Sequence, residues 1–154
     1  MERVSSPETG DSVLAAISGL GHLSRRLTQL HTRLWQELVD REVTGPQFTV
    51  LGLLHLRGVM DQGTLGELAY LDKSTIAPVL NRLLQRQLIE VTRDDNDRRR
   101  KLVAVTDPGR DVVRRLTPAV LAVNDRMLAP LPADDRERFL ASLERILQGS
   151  TEAE

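Results

Sequence analysis

Six leucines, Leu20, Leu23, Leu27, Leu30, Leu34 and Leu38, recur at spacings of 3, 4, 3, 4 and 4 residues. Only an α-helix brings that spacing onto one face, so the sequence predicts a helix from Leu20 to Asp40 carrying a continuous apolar stripe. A stripe of that length needs an apolar partner. Aromatic residues are 3% of the chain, so the matching surfaces must be built from Leu, Val and Ala. Ahead of the stripe Val13, Leu14 and Ile17 form a shorter apolar face, and Gly19 and Gly21 are expected to loosen or break its connection to the long helix. Residues 1–10 are polar and read as a disordered tail, and residues 149–154 as a flexible acidic one.

The remaining elements announce themselves by their caps. Thr44-Gly-Pro-Gln47 pairs a Thr N-cap with Gln three residues on and Pro in the first turn, opening a second helix that ends near Gly58. Thr64-Leu-Gly-Glu67 reads as another capping box, starting a short third helix through Leu68, Ala69 and Leu71. Asp72 is a plausible N-cap for a fourth helix, Ser74 to Gln87, with Ile76, Val79, Leu80, Leu83 and Leu84 inward. From Leu88 the period changes to two: Ile89 to Arg93 and Lys101 to Thr106 read as strands around the polar loop Asp94 to Arg100. Thr106-Asp-Pro-Gly109 starts a fifth helix, and a sixth follows Pro130-Leu-Pro132.

The expected fold is therefore mainly α with a small β-hairpin wing: six helices in a winged helix-turn-helix arrangement. It forms one domain over residues 11–148, in which 44–106 make the helix-turn-helix lobe and 11–43 with 107–148 flank it. Net charge is −1, but from Arg82 to Lys101 seven basic residues face four acids. That local surplus suggests an anion-binding face in a neutral protein, although a solvated loop of mixed charge would carry the same composition.

Four stretches, Thr44-Gly-Pro-Gln-Phe-Thr-Val-Leu51, Leu65-Gly-Glu-Leu-Ala69, Asp72-Lys-Ser-Thr-Ile-Ala-Pro-Val-Leu-Asn-Arg-Leu83 and Asp94 through Thr106 to Gly109, resemble the signature of the MarR family. The resemblance spans roughly residues 20 to 148 and departs at Gln87, where the family usually carries Gly. It implies a homodimeric regulator on a pseudo-palindromic double-stranded DNA operator, the flanking helices supplying the dimer surface. In a helix-turn-helix the second helix enters the major groove, which nominates Lys73, Ser74, Thr75, Ala77, Pro78, Asn81 and Arg82. Asn81 and Arg82 have the geometry to read adenine and guanine, while Ser74 and Thr75 serve equally well as caps. At the wing Arg98, Arg99 and Arg100 suit the negative potential of a narrow minor groove. By resemblance Arg99 enters the groove and Asp97 pairs with it; an ordinary surface ion pair is the alternative.

The first helix is similar to that of MarR regulators responding to protocatechuate and related hydroxybenzoates, which implies Arg25 as the anchor of a small aromatic acid's carboxylate. A guanidinium fork matches that group. His31 lies about 9 Å along the helix and about 120° around it, so both reach one ligand only by flanking it. Trp35 would close an apolar wall or pack as core, His22 is a weaker candidate, and a solvated helix face accounts for Arg25 and Arg26 equally well.

No nucleophile with a base, paired carboxylates or cofactor motif appears, so an enzyme is not expected. The chain has no Cys and no HxxxH spacing, which leaves no metal or thiol sensor in view. No apolar run reaches the roughly 18 residues of a membrane span, and a cytoplasmic protein is expected. Two rivals remain: a stress- or drug-responsive repressor with a broad apolar pocket, and a winged-helix module that binds protein.

Overall fold

The computed structural model describes residues 7–39, 41, 43–94, 97 and 100–149, with side chains from residue 10 onward. The described elements are α1 (Pro7–Ile17), α2 (Leu20–Leu38), α3 (Gly45–Arg57), β1 (Met60–Asp61), α4 (Gln62–Ala69), α5 (Lys73–Gln85), β2 (Ile89–Arg93), β3 (Lys101–Val105), α6 (Asp107–Leu128) and α7 (Ala133–Gly149). The six expected helices are α2 to α7. The apolar extension ahead of them is a helix of its own, separated at Ser18 and Gly19. There the Ser18 hydroxyl donates to the Leu14 carbonyl at 2.6 Å. Residues 7–10 belong to α1, so the polar tail expected over 1–10 is shorter. Pro7 opens the helix at a position whose amide would find no helical acceptor, and its fixed φ already suits the turn. Residues 1–6 and 150–154 lie outside the described residues. Among the described residues no helix is long and apolar enough to cross a membrane.

The chain divides into two compact units, Trp35–Ala122 and residues 1–34 with 123–154. The first is larger than the lobe expected over 44–106, because its packing recruits both flanks. Trp35 is buried, donates its indole N–H to the Val43 carbonyl at 2.8 Å and meets the Phe48 ring edge-on at 6.1 Å. Val113 of α6 joins the core made by Leu51, Leu54, Leu65, Leu83 and Ile89. Each fully buried aliphatic side chain of this kind contributes about 1.5–3 kcal/mol.

The caps decide where the lobe's helices begin. Thr44 Oγ1 accepts the Gln47 amide at 3.4 Å while Gln47 Oε1 accepts the Thr44 amide at 3.0 Å, the expected capping box of α3. For α4 the expectation is corrected. Thr64 does not cap; Asp61 does, its Oδ1 accepting the Thr64 amide at 3.0 Å and its Oδ2 the Thr64 hydroxyl at 2.8 Å. The helix thus starts three residues earlier than the Thr64 cap implies, since an ionised carboxylate is the better acceptor. Asp61 also ends β1, which was not anticipated because two residues carry no legible period. The sheet is antiparallel in the order β1-β3-β2, with Asp61 opposite Leu102 and Val91 opposite Val103.

Both helices of the helix-turn-helix end in the same way. At α4 the Leu71 amide returns to the Gly66 carbonyl at 2.9 Å and the Tyr70 amide to Glu67 at 3.1 Å. At α5 the Leu88 amide returns to Leu83 at 3.0 Å and the Gln87 amide to Leu84 at 2.9 Å. These are Schellman closures, which require a left-handed residue. Tyr70 and Gln87 supply it with φ of 52° and 56°, a conformation that suits glycine better. Gly66 makes the tight turn feasible: a Cβ there would lie 3.1 Å from the Leu71 carbonyl oxygen.

In the second unit the N-terminal part of the leucine stripe is not covered by the described residues. Leu20, Leu23 and Leu27 are exposed, as are Phe139, Leu140 and Ile146 of α7.

Candidate nucleic-acid interface

Asp72 sets the start of α5. Its Oδ1 accepts the Thr75 amide and the Ser74 hydroxyl, both at 2.7 Å. The Ser74 hydroxyl, then the Thr75 hydroxyl and amide, hold this carboxyl below its ordinary value. The helix is thereby capped by an ionised group, and the hydroxyls of Ser74 and Thr75 reinforce that cap instead of supplying it. Beyond the cap the helix is two-sided. Ile76, Leu80 and Leu83 are buried, whereas Lys73, Ser74, Thr75, Pro78, Asn81 and Arg82 are exposed and Ala77 is half-buried. Ser74, Pro78, Asn81 and Arg82 fall at helical spacings of three and four, so one solvent-facing strip carries the hydrogen-bonding groups. Pro78 withholds an amide from the Ser74 carbonyl four residues back, within the first two turns.

The wing is rooted by backbone and by charge. The Asp94 amide donates to the Arg100 carbonyl at 3.0 Å, and the Arg100 amide to the Asp97 carbonyl at 2.8 Å. Arg99, expected to enter the groove, and its neighbour Arg98 lie outside the described residues, as does any contact between Asp97 and Arg99. Arg100 points elsewhere than a free tip residue would. Its Nη2 is 2.7 Å from Asp61 Oδ2, and its Nη1 is 3.9 Å from Asp94 Oδ2. Asp61 therefore accepts from Arg100 and from the Thr64 amide and hydroxyl. With Arg100 the largest influence, they hold its carboxyl well below the usual carboxylate range. Sequence reasoning missed Asp61; the available signal was an N-cap residue type placed three positions before Thr64.

The residues nominated for a small acid all fall on α2. His22 and Arg25 are exposed and His31 is half-buried, all in the unit containing residues 1–34. Trp35 belongs to the other unit, where its N–H is committed to Val43. A groove of about 750 Å³ runs between α2 and α7 in the unit of residues 1–34 and 123–154, its walls formed by Leu23, Leu27, Leu30 and Phe139 with Arg26 and Arg33 at the polar edge.

Comparison with known proteins agrees with this architecture. The MarR family model matches residues 43–101, which take in α3, the helix-turn-helix and most of the wing. The transcriptional regulator HosA of Escherichia coli O127:H6 is 32% identical over 127 residues, 82% of this chain and 93% of HosA. The crystal structure of the PcaV transcriptional regulator from Streptomyces coelicolor in complex with its natural ligand is similar at a TM-score of 0.83 and 39% identity. That match covers 97% of this chain and 99% of PcaV. The structure describing regulation of DNA binding of Bordetella bronchiseptica BpsR by 6-hydroxynicotinic acid is similar at 0.77 and 29% identity, covering 82% of this chain and 97% of BpsR. With the winged helix-turn-helix in place and relatives aligned along nearly their whole length, the chain belongs to the MarR family of transcription regulators and is not an enzyme.

Proposed function

We propose that the protein is a homodimeric repressor that holds a pseudo-palindromic operator and releases it when a small aromatic carboxylic acid binds. The observation that carries the DNA reading is the division of α5. A buried apolar face fixes the helix, and the opposite exposed strip presents Lys73, Asn81 and Arg82 to a groove. The wing takes the adjacent minor groove, with Arg99 as the residue the family resemblance nominates to enter it. Dimerisation is supported by the apolar surface left open on α2 and α7, because contiguous exposed apolar patches mark association sites. Two copies place two α5 helices about one helical turn apart on DNA.

The acid reading is supported by the similarity to PcaV and to BpsR, whose DNA binding 6-hydroxynicotinic acid regulates. Arg25 anchors the carboxylate, and His31, with His22 nearby on α2, completes the site in the dimer, while Trp35 packs in the core. The ligand must favour one spacing of the two DNA-binding lobes over the other if it is to release DNA.

Fluorescence anisotropy on DNA adjoining the protein's own gene, titrated with hydroxybenzoates, protocatechuate and 6-hydroxynicotinic acid, tests both parts. The expected result is tight, salt-sensitive binding that one acid abolishes in the wild type but not in Arg25→Ala. Binding that no acid disturbs removes the sensor and leaves the repressor. Absence of specific binding at low salt removes the DNA reading.

A further inference from the structure

The ion pair between Asp61 and Arg100 connects three elements that no hydrogen-bond ladder connects alone. Asp61 ends β1, whose pairing with β3 spans only Met60 opposite Val103 and Asp61 opposite Leu102. Its side chain caps α4 through Thr64. It is also 2.7 Å from the guanidinium of Arg100, whose own amide and carbonyl close the wing loop. The carboxylate is the more enclosed partner, with 18% of its side chain accessible against 55% for Arg100. Two further carboxylates, Asp94 and Asp97, favour the charged guanidinium from the loop side.

We propose that Asp61 is a positioning residue for DNA binding: it holds Arg100 against the N-terminus of α4 and thereby fixes the root of the wing relative to the helix-turn-helix. Arg100 then acts as a strut and not as a DNA ligand. This inference rests on the reading that the wing enters the minor groove. It makes a prediction of unusual sign. Removing an acid from a DNA-binding lobe should strengthen binding to a polyanion, since it removes repulsion. Removing Asp61 should weaken it.

The test compares Asp61→Asn, Arg100→Gln, the double variant, Glu90→Gln and Arg99→Ala in full-length protein, by anisotropy on the operator at several salt concentrations. Asn caps a helix about as well as Asp, so Asp61→Asn keeps the α4 start and loses only the charge partner. Circular dichroism and thermal unfolding verify that each variant is folded. Asp61→Asn and Arg100→Gln are expected each to weaken operator binding about two- to fivefold, the range an exposed ion pair commands. The double variant should be no weaker than either single change. Glu90→Gln, which removes an exposed acid of β2, should bind as tightly as wild type or slightly tighter. Asp61→Asn behaving like Glu90→Gln, or additive losses in the double variant, overturns the strut. Unchanged binding by Arg99→Ala removes the wing reading and the inference with it, whereas a loss in Arg99→Ala without one in Asp61→Asn removes the strut alone.

Discussion

The hydroxyl of Thr106 donates to the carbonyl of Gln87 at 2.7 Å and its oxygen accepts the amide of Gly109 at 3.2 Å. One side chain thus ties the C-terminus of α5 to the N-terminus of α6, immediately after the wing returns along β3. The backbone reinforces the junction, the Thr106 amide donating to the Leu88 carbonyl at 3.1 Å. A Cβ on Gly109 would collide with that same Leu88 carbonyl oxygen and come within 2.7 Å of a Val105 methyl. The orientation of α5 and the root of the wing are consequently set by a single crowded corner.

Replacing Thr106 with Val keeps the shape and deletes both hydrogen bonds. The α6 N-cap is lost, and about 1–2 kcal/mol of stability should go with it. Thr106→Ser retains both partners and should stay within about 0.5 kcal/mol of wild type, because Ser caps helices as well as Thr. Urea unfolding midpoints of the two variants check the pair.

Gln87 holds φ of 56° at the end of α5. A side chain costs about 1 kcal/mol in the left-handed region, which glycine enters freely, while glycine gives back part of this through its larger unfolded-state entropy. Gln87→Gly should therefore raise stability by roughly 0.5 kcal/mol, with the Schellman closure intact. A higher urea midpoint at unchanged m-value is the expected reading; a lower midpoint would mean the side chain contributes contacts beyond the cap.

Much of this corner is legible without coordinates. Thr44 with Gln47, Asp72 before Ser74, and the change of period at Leu88 each report a local interaction between near neighbours, and each element forms where those signals lie. The strained cap at Gln87 follows from an absent glycine. What sequence does not disclose is long-range. Met60 and Asp61 become a strand only because Val103 and Leu102 lie beside them, and Asp61 is preferred over Thr64 as the cap partly because Arg100, 39 residues away, shares its carboxylate. Arg100 reads as one of the arginines of a basic wing tip until its partner is visible. Trp35 is similar: on α2 its ring suits a ligand wall or packing, and Val43 and Phe48 show the ring buried and its N–H occupied.

Asp72 also gives a pH signature with a definite sign. Its folded-state pKa lies below the ordinary 3.8, through the Ser74 and Thr75 hydroxyls and the Thr75 amide. A carboxyl depressed by folding contributes stability that is fully present above its unfolded value and is lost as pH falls through the folded one. Asp72→Asn still caps α5 but has no proton to gain. The variant and wild type should be of similar stability at neutral pH, with wild type losing more on acidification below 3.8. Parallel urea midpoints for the two across that range would mean the cap is not linked to proton uptake.

On the exposed strip of α5, Lys73 and Asn81 should separate affinity from sequence discrimination. Lys73 sits at the first turn and is exposed. It is a point charge suited to phosphate, so Lys73→Ala should weaken binding to all duplexes alike and reduce the slope of log affinity against log salt by about one. Asn81 lies two turns on, on the same strip as Pro78 and Arg82, with a side chain able to bridge the two polar atoms of adenine's major-groove edge. Its replacement by Ala should leave the salt slope unchanged, cost about 1–3 kcal/mol on the operator, and cost little on unrelated DNA. Measured at three or more salt concentrations on both duplexes, the two variants therefore move different quantities. If Asn81→Ala instead weakens binding to both duplexes alike and spares discrimination, the amide faces the backbone, and α5 lies in the groove rotated from the orientation that its buried face at Ile76, Leu80 and Leu83 implies.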